Sequence, residues 1–287
     1  MSRLSDISYI KDVMERHGTA FSKALGQNFL INPSICPKMA ENSGADENTG
    51  VIEVGPGIGV LTYELSKVAK KVVSIELDKR LLSVLEETLS DCSNVKIIND
   101  DVLKADINKI IEEEFGGEKV CVCANLPYYI TSPVIMHFLE GNFPLKALTV
   151  MVQKEAAERI CAKPGSRESG AITISIHYYC EPELLFKVSR GSFLPAPNVD
   201  SAVIKLNIRE KPPVEPKNKE LFFKVIKAAF SQRRKTAVNS VASGLSLNKA
   251  LVTEAFEKAN LPIDIRAEKM DLKNFSNLSD VINEIIQ

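Results

Sequence analysis

From residue 49 onward, short apolar runs rich in β-branched residues alternate with stretches whose apolar positions recur every three to four residues. "TGVIEVG", "KKVVSIEL", "NVKIIND", "KVCVCAN" and "LKALTVMV" have the near-continuous apolarity of strands buried on both faces. "GVLTYELSKVA", "DKRLLSVLEETLS" and "INKIIEEEF", lying between them, have helical spacing. Strands alternating with helices predict a parallel sheet with helices on both faces, a doubly wound, Rossmann-like α/β fold. "ELLFKVS" and "DSAVIKLNI" read as closing strands of the same sheet. Ahead of it lie a helix near Asp6–His17 and a loop, "KALGQNFLINPS", whose Asn-Pro-Ser ending suits a helix start.

The pattern changes after "REKPPVEPKNK" (209–219), a charged, proline-rich stretch with the character of a linker. Beyond it "ELFFKVIKAAFSQ", "NKALVTEAFEKAN" and "LSDVINEII" are all helical in period. The predicted division is therefore an α/β domain over 1–210 and a small all-helical domain over 211–287. Internal repeats and low-complexity segments are absent from the sequence.

Composition changes this picture little. The 287 residues are 45% apolar and 25% charged, as in ordinary soluble domains, and no run approaches signal-peptide or membrane-span length. A cytoplasmic protein with no membrane partner is the expectation. Six cysteines, at 36, 92, 121, 123, 161 and 180, form no CxxC pair and read as reduced, buried thiols, with no metal site expected. The net charge of −1 is uneven: from Gly191 onward 15 Lys+Arg face 11 Asp+Glu, about +4, leaving about −5 elsewhere. A basic tail on a near-neutral chain hints at a polyanionic partner.

Candidate chemistry sits at the predicted strand tips. "VIEVGPGIG" places Gly55, Gly57 and Gly59 between the first strand and a helix, where glycines let backbone approach a ligand. The spacing is GxGxG after Glu53, tighter than the dinucleotide pattern and suited to S-adenosylmethionine. The next strand ends in Glu76, followed by Asp78; an acid about 20 residues past such a loop can take both hydroxyls of a ribose. The third ends in "NDD", where Asp101 can accept from an adenine amino group and Val102 can pack on its ring, while Asp100 reads as a turn cap. The fourth ends in Asn125-Leu126-Pro127-Tyr128, none of them a strong nucleophile or base. An amide and a ring suit other chemistry. The lone pair of an amine on an aromatic base is delocalised, and two acceptors drawn up to its N–H bonds localise it. The Asn125 side-chain oxygen and the Leu126 carbonyl can be those acceptors, with Pro127 stiffening the turn and Tyr128 stacking on a flipped base.

At this point the sequence resembles the ribosomal RNA adenine N6-dimethyltransferases that act on small-subunit RNA. The likeness rests on "KALGQNFLINPSI", "VIEVGPGIGVLT", "VVSIELD", "NDDVLK", "NLPYYITSPVI", "VQKEAAERICAKPGSRESGAITI", "FLPAPNVDSAVI" and "FSQRRKT", and spans nearly the whole chain. It implies a Rossmann-like S-adenosylmethionine-dependent methyltransferase sheet with a C-terminal helical domain that binds RNA or the ribosome. It also implies cofactor contacts from Asn28, Leu30, Gly55, Glu76, Asp101 and Asn125. The implied reaction is four methyl transfers, two to each of two adjacent adenosines near the RNA 3′ end, in an immature 30S particle. A monomer is expected. "GSFLPAPNVDS" offers Phe193 either as a second ring opposite Tyr128 or as a hydrophobic plug. Arg233, Arg234 and Lys235 in "SQRRKT" are candidate phosphate contacts, joined by Lys154, Arg159, Lys163 and Arg167.

Two other functions fit parts of the sequence. A resistance methylase of large-subunit RNA shares the glycine loop and the Asn-Leu-Pro-Tyr element, but the full "KALGQNFL" entry and "SQRRKT" favour the small subunit. An assembly factor whose binding matters more than its methylation is the reading from a different class. A DNA adenine methylase lacks its target-recognition domain here, and a dehydrogenase lacks a hydride-transfer acid.

Overall fold

A computed structural model describes residues 3–19 and 27–286 of the chain. Residues 23–26 of the "KALGQNFL" motif therefore lie outside the described residues. The contacts divide the molecule into two compact units, Met1–Ala157 with Glu183–Ile208, and Glu158–Pro182 with Arg209–Gln287.

The described residues hold nine strands: β1 (Phe29–Leu30), β2 (Gly50–Val54), β3 (Lys71–Glu76), β4 (Val95–Asn99), β5 (Val120–Asn125), β6 (Leu145–Gln153), β7 (Cys180–Val188), β8 (Phe193–Leu194) and β9 (Ser201–Ile208), of which all but the start of β7 belong to the first unit. Seven form one sheet in the order β4-β3-β2-β5-β6-β9-β7, and β1 pairs antiparallel with β8. The pairs from β4 to β6 are parallel, and β9 runs antiparallel to β6. Every residue of β2 is buried, which explains the unbroken apolar run: helices cover both faces. All seven predicted strands are present.

The order of connection fixes where a ligand can sit. From β2 the chain builds outward to β3 and β4, then crosses to β5 on the other side of β2. Such a reversal leaves a crevice at the carboxyl ends of the central strands. Register completes the placement: Val54 lies opposite Ile75 on one side and Ala124 on the other. The residues that follow each, Gly55, Glu76 and Asn125, therefore emerge side by side.

Local signals account for the flanking helices. Asp106 caps Ile107–Phe115 by accepting the Lys109 N–H at 3.0 Å, and Gly116 ends it at φ 62°. Asn32 accepts from the Ser34 N–H and hydroxyl at 3.1 and 2.9 Å just before the helix Ile35–Glu41, as its Asn-Pro-Ser entry predicts. The N-terminal helix Ile7–Arg16 buries Ile10, Val13 and Met14, and Arg16 grips both carboxylate oxygens of Glu87 at 2.7 Å.

Among the described residues the second unit holds five helices of eight or more residues: Ala171–Tyr179, Lys219–Ala229, Ala237–Leu245, Lys249–Lys258 and Leu272–Ile286. Its core gathers Phe222, Val225, Phe256, Phe275 and Ile282 around Ile174 and Tyr178. Here the structure departs from a single boundary near residue 210. Glu158–Pro182 belongs to the helical unit because the apolar face of Ala171–Tyr179 is buried in that unit's core. With it go Arg159, Lys163 and Arg167, while Lys154 stays in the α/β unit. No helix among the described residues is long and apolar enough to cross a membrane.

Candidate active site

The crevice at the strand tips is a pocket whose lining includes Asn28, Leu30, Gly55, Gly57, Glu76 and Asp101, together with Asn125-Leu126-Pro127-Tyr128 and Phe193. The structure thus brings these strand-tip residues together, while Gly59 and Asp78, also singled out from the sequence, lie outside the pocket lining. Arg233, Arg234 and Lys235 lie elsewhere, in the turn between helices Lys219–Ala229 and Ala237–Leu245 of the second unit.

The glycine loop reverses direction through three left-handed residues, Gly55, Gly57 and Gly59, with φ of 67°, 61° and 89°. Each side chain would cost strain there, and two would also collide. A Cβ on Gly57 would stand 2.8 Å from Phe29 Cε1, and one on Gly59 3.0 Å from Leu89. At Gly55 nothing lies within 4 Å, so the backbone is bare toward the pocket.

Glu76 is buried beside this loop. One carboxylate oxygen accepts the Gly57 N–H at 3.2 Å and the other the Asp78 N–H at 2.8 Å. Burial raises its pKa against the pull of those two bonds. Each oxygen retains a lone pair, which makes the group a fixed acceptor for a diol. Asp78 acts differently, holding Arg80 through both oxygens at 2.9 and 2.7 Å and receiving Gln27 at 3.1 Å, which braces the residue before Asn28. Asp101 orders the following turn by accepting the Leu103 N–H at 3.1 Å, and Val102 is buried at the pocket wall. Asp100 caps the Asp101 N–H at 2.7 Å, as its turn reading predicts.

Below the loop is a network that the sequence did not reveal. Glu53, 1% exposed, accepts the hydroxyls of Thr62 and Ser74 on one oxygen, both at 2.6 Å. Burial pushes its pKa from 4.5 up to about 7. The folded chain therefore holds this proton more tightly than the unfolded one, so its stabilising effect is full below 4.5 and fades as pH rises toward 7. Glu53→Gln is expected to flatten that decline in thermal melts between about pH 5 and 8. A variant whose melting temperature falls with pH as steeply as the wild type's would remove Glu53 as its source.

On the other side of the pocket, Asn125 ends β5 and its Nδ2 donates to the Asn28 carbonyl at 3.4 Å. That bond uses one of the two amide N–H donors and leaves Oδ1 available to accept. The Leu126 N–H donates to Met151 at 3.3 Å, anchoring the turn to β6. The Pro127 carbonyl accepts the Ile130 N–H at 3.1 Å and the Thr131 hydroxyl at 3.4 Å, closing a 3-10 turn over Tyr128–Ile130. Tyr128 is half-buried, and its hydroxyl bonds the Ser201 hydroxyl of β9 at 2.7 Å. Burial raises the phenol's pKa, so the ring stays neutral. Phe193 is 3% exposed and packed in the hydrophobic core, paired with Leu30 across β1–β8. The ring is thus packed in the core and also lines the pocket.

Ser201 is a residue the sequence reading overlooked. Ser201→Ala and Tyr128→Phe cut the same bond, and each is expected to cost base capture about 1 kcal/mol. The double variant is expected to lose no more than either single one, because one contact is removed in all three. Additive losses in particle-binding titrations would show that the two side chains act separately.

The sequence model of a family described as ribosomal RNA adenine dimethylase matches residues 18–284. The chain belongs to the ribosomal RNA adenine dimethylase family. A ribosomal RNA small subunit methyltransferase A of Clostridioides difficile (strain 630) is 44% identical over 283 residues, covering 99% of this chain and 98% of its own. Its counterpart in Shouchella clausii (strain KSM-K16) is 47% identical over 273 residues, covering 94% and 92%. Among solved structures, a dimethyladenosine transferase from Plasmodium falciparum aligns with a TM-score of 0.72 at 26% identity, over 87% of this chain and 95% of that one. The 23S rRNA methyltransferase ErmE aligns at 0.68 and 26%, over 89% and 100%.

Membership makes this chain an S-adenosylmethionine-dependent methyltransferase. The pocket fits that cofactor: Gly55 leaves the backbone open, Glu76 presents a fixed diol acceptor, and buried Val102 supplies an apolar wall. Glu76→Ala is expected to weaken S-adenosylmethionine binding by about 1.5–3 kcal/mol through loss of a charged acceptor. Unchanged affinity by calorimetry would place the ribose elsewhere.

Proposed function

We propose that this enzyme methylates N6 of two adjacent adenosines near the 3′ end of small-subunit ribosomal RNA, two methyl groups on each, while the 30S particle is still immature. The observation that carries the chemistry is the Asn125 amide at the pocket wall, whose nitrogen donates to the Asn28 carbonyl and whose Oδ1 is left to accept. Oδ1 and the Leu126 carbonyl accept the amine's N–H bonds and localise its lone pair as the nitrogen becomes tetrahedral. Pro127 and the closed turn hold both acceptors still, and Tyr128, tethered to Ser201, carries the face of the base. When bound, S-adenosylmethionine supplies an electrophilic methyl group. The protein's work is alignment and electrostatics, with no strong base required.

The small subunit is favoured over the large by the relatives: those named for it reach 44–47% identity over more than nine-tenths of the chain, against 26% for ErmE. The helical unit contributes the RNA contact. Arg233, Arg234 and Lys235 are exposed and have no acidic partner among the described residues, whereas Lys217, Lys224 and Lys258 of the same unit are each paired with a glutamate. One chain carries both the pocket and the cationic turn, in keeping with a monomer acting in the cytoplasm on assembling particles. Mapping N6,N6-dimethyladenosine in total RNA from cells with and without the gene tests the proposal. Loss of two adjacent modified positions in small-subunit RNA is expected; their persistence without the gene would overturn it.

A further inference from the structure

Tyr129 is the most exposed large apolar side chain among the described residues, at 60%, yet it lines the pocket beside a half-buried Tyr128. Neither a ring partner nor a hydrogen bond holds its side chain among the described residues. The backbone beneath it is nonetheless stiff, closed by the Ile130 N–H and Thr131 hydroxyl on the Pro127 carbonyl. An unpartnered ring on a rigid turn is preorganised for something outside the fold.

Geometry says what it does not do. In a 3-10 turn, with about three residues per turn, successive side chains diverge by about 120°. Tyr128 points into the half-buried side and is tethered to Ser201; Tyr129 must face another direction and cannot grip the same base. Its position at the mouth suits the nucleotide next in the strand. When one of two adjacent adenosines is drawn into the pocket, its neighbour loses a stacking partner on that side, and a free aromatic face can replace it.

We infer that Tyr129 is a second base platform, stacking the adenine adjacent to the one held on Tyr128. This rests on the proposed substrate of two adjacent adenosines and deepens it: tandem aromatic residues serve tandem bases. Stacking uses the π-face and makes no demand on N6, so the platform takes a bare or a dimethylated neighbour alike.

The test uses full-length enzyme with small subunits lacking the modification, reconstituted either with native RNA or with an abasic nucleotide at one of the two adenosines. On native particles Tyr129→Ala is expected to raise the half-saturating particle concentration about tenfold, equivalent to about 1.4 kcal/mol of lost stacking. Its maximal rate should stay close to wild type, and Tyr129→Phe should match wild type in both. On abasic particles the wild type should already need the higher concentration, and Tyr129→Ala should add nothing. Tyr129→Ala indistinguishable from wild type on native particles, or an equal loss on both particles, overturns the platform while leaving the substrate assignment intact. A wild type that methylates neither particle overturns the substrate assignment and the platform with it.

Discussion

Asn125→Ala is expected to slow methyl transfer by about 10²-fold or more, the usual cost of deleting one preorganised polar contact at a reacting centre. Its Oδ1 strengthens its hold as the amine nitrogen turns tetrahedral, so the loss should fall on the rate and spare RNA affinity. The bond from Nδ2 to the Asn28 carbonyl at 3.4 Å adds a second consequence. Alanine also releases the residue beside the cofactor side of the pocket, so a modest loss of S-adenosylmethionine affinity should accompany the slow step. Single-turnover kinetics at saturating cofactor and particle separates the two. A near-normal rate under those conditions would remove the amide from the mechanism.

Changing Arg233, Arg234 and Lys235 together to Glu is expected to weaken particle binding by about 10²-fold at low salt, on the order of 1 kcal/mol for each lost charge-assisted contact. Because fewer counterions would be released, the slope of log affinity against log salt should shrink by about 3, one for each phosphate contact. Cofactor affinity should survive, since no pocket residue is touched. The three side chains are exposed in a turn, away from the core of Phe222, Phe256 and Phe275, so the fold tolerates the change. Affinity and salt slope equal to wild type would assign the cluster to an ordinary solvated surface.

The strands were readable in the sequence because burial on both faces removes any polar interruption, as in fully buried β2. The tips followed from the strands: once β2, β3 and β5 end where their apolar runs end, Gly55, Glu76 and Asn125 must emerge together. What escaped notice depends on contacts far apart in the chain. Glu53 meets Thr62 and Ser74 only across a helix and a neighbouring strand, and Tyr128 meets Ser201 from 73 residues away. The helix Ala171–Tyr179, "AITISIHYY", is apolar on almost every side and rich in β-branched residues, so no amphipathic period marks it or its place in the helical core. β1 and β8 are two residues each, too short for any period, although their pairing is what buries Phe193.

The most direct test of the central claim is methyl transfer by purified enzyme to small subunits lacking the modification, followed by mass spectrometry of the RNA. Four methyl groups per particle, two on each of two adjacent adenosines near the 3′ end, is the expected result, with none on large subunits. Methylation of large-subunit RNA instead, or binding to small subunits without any transfer, would contradict it.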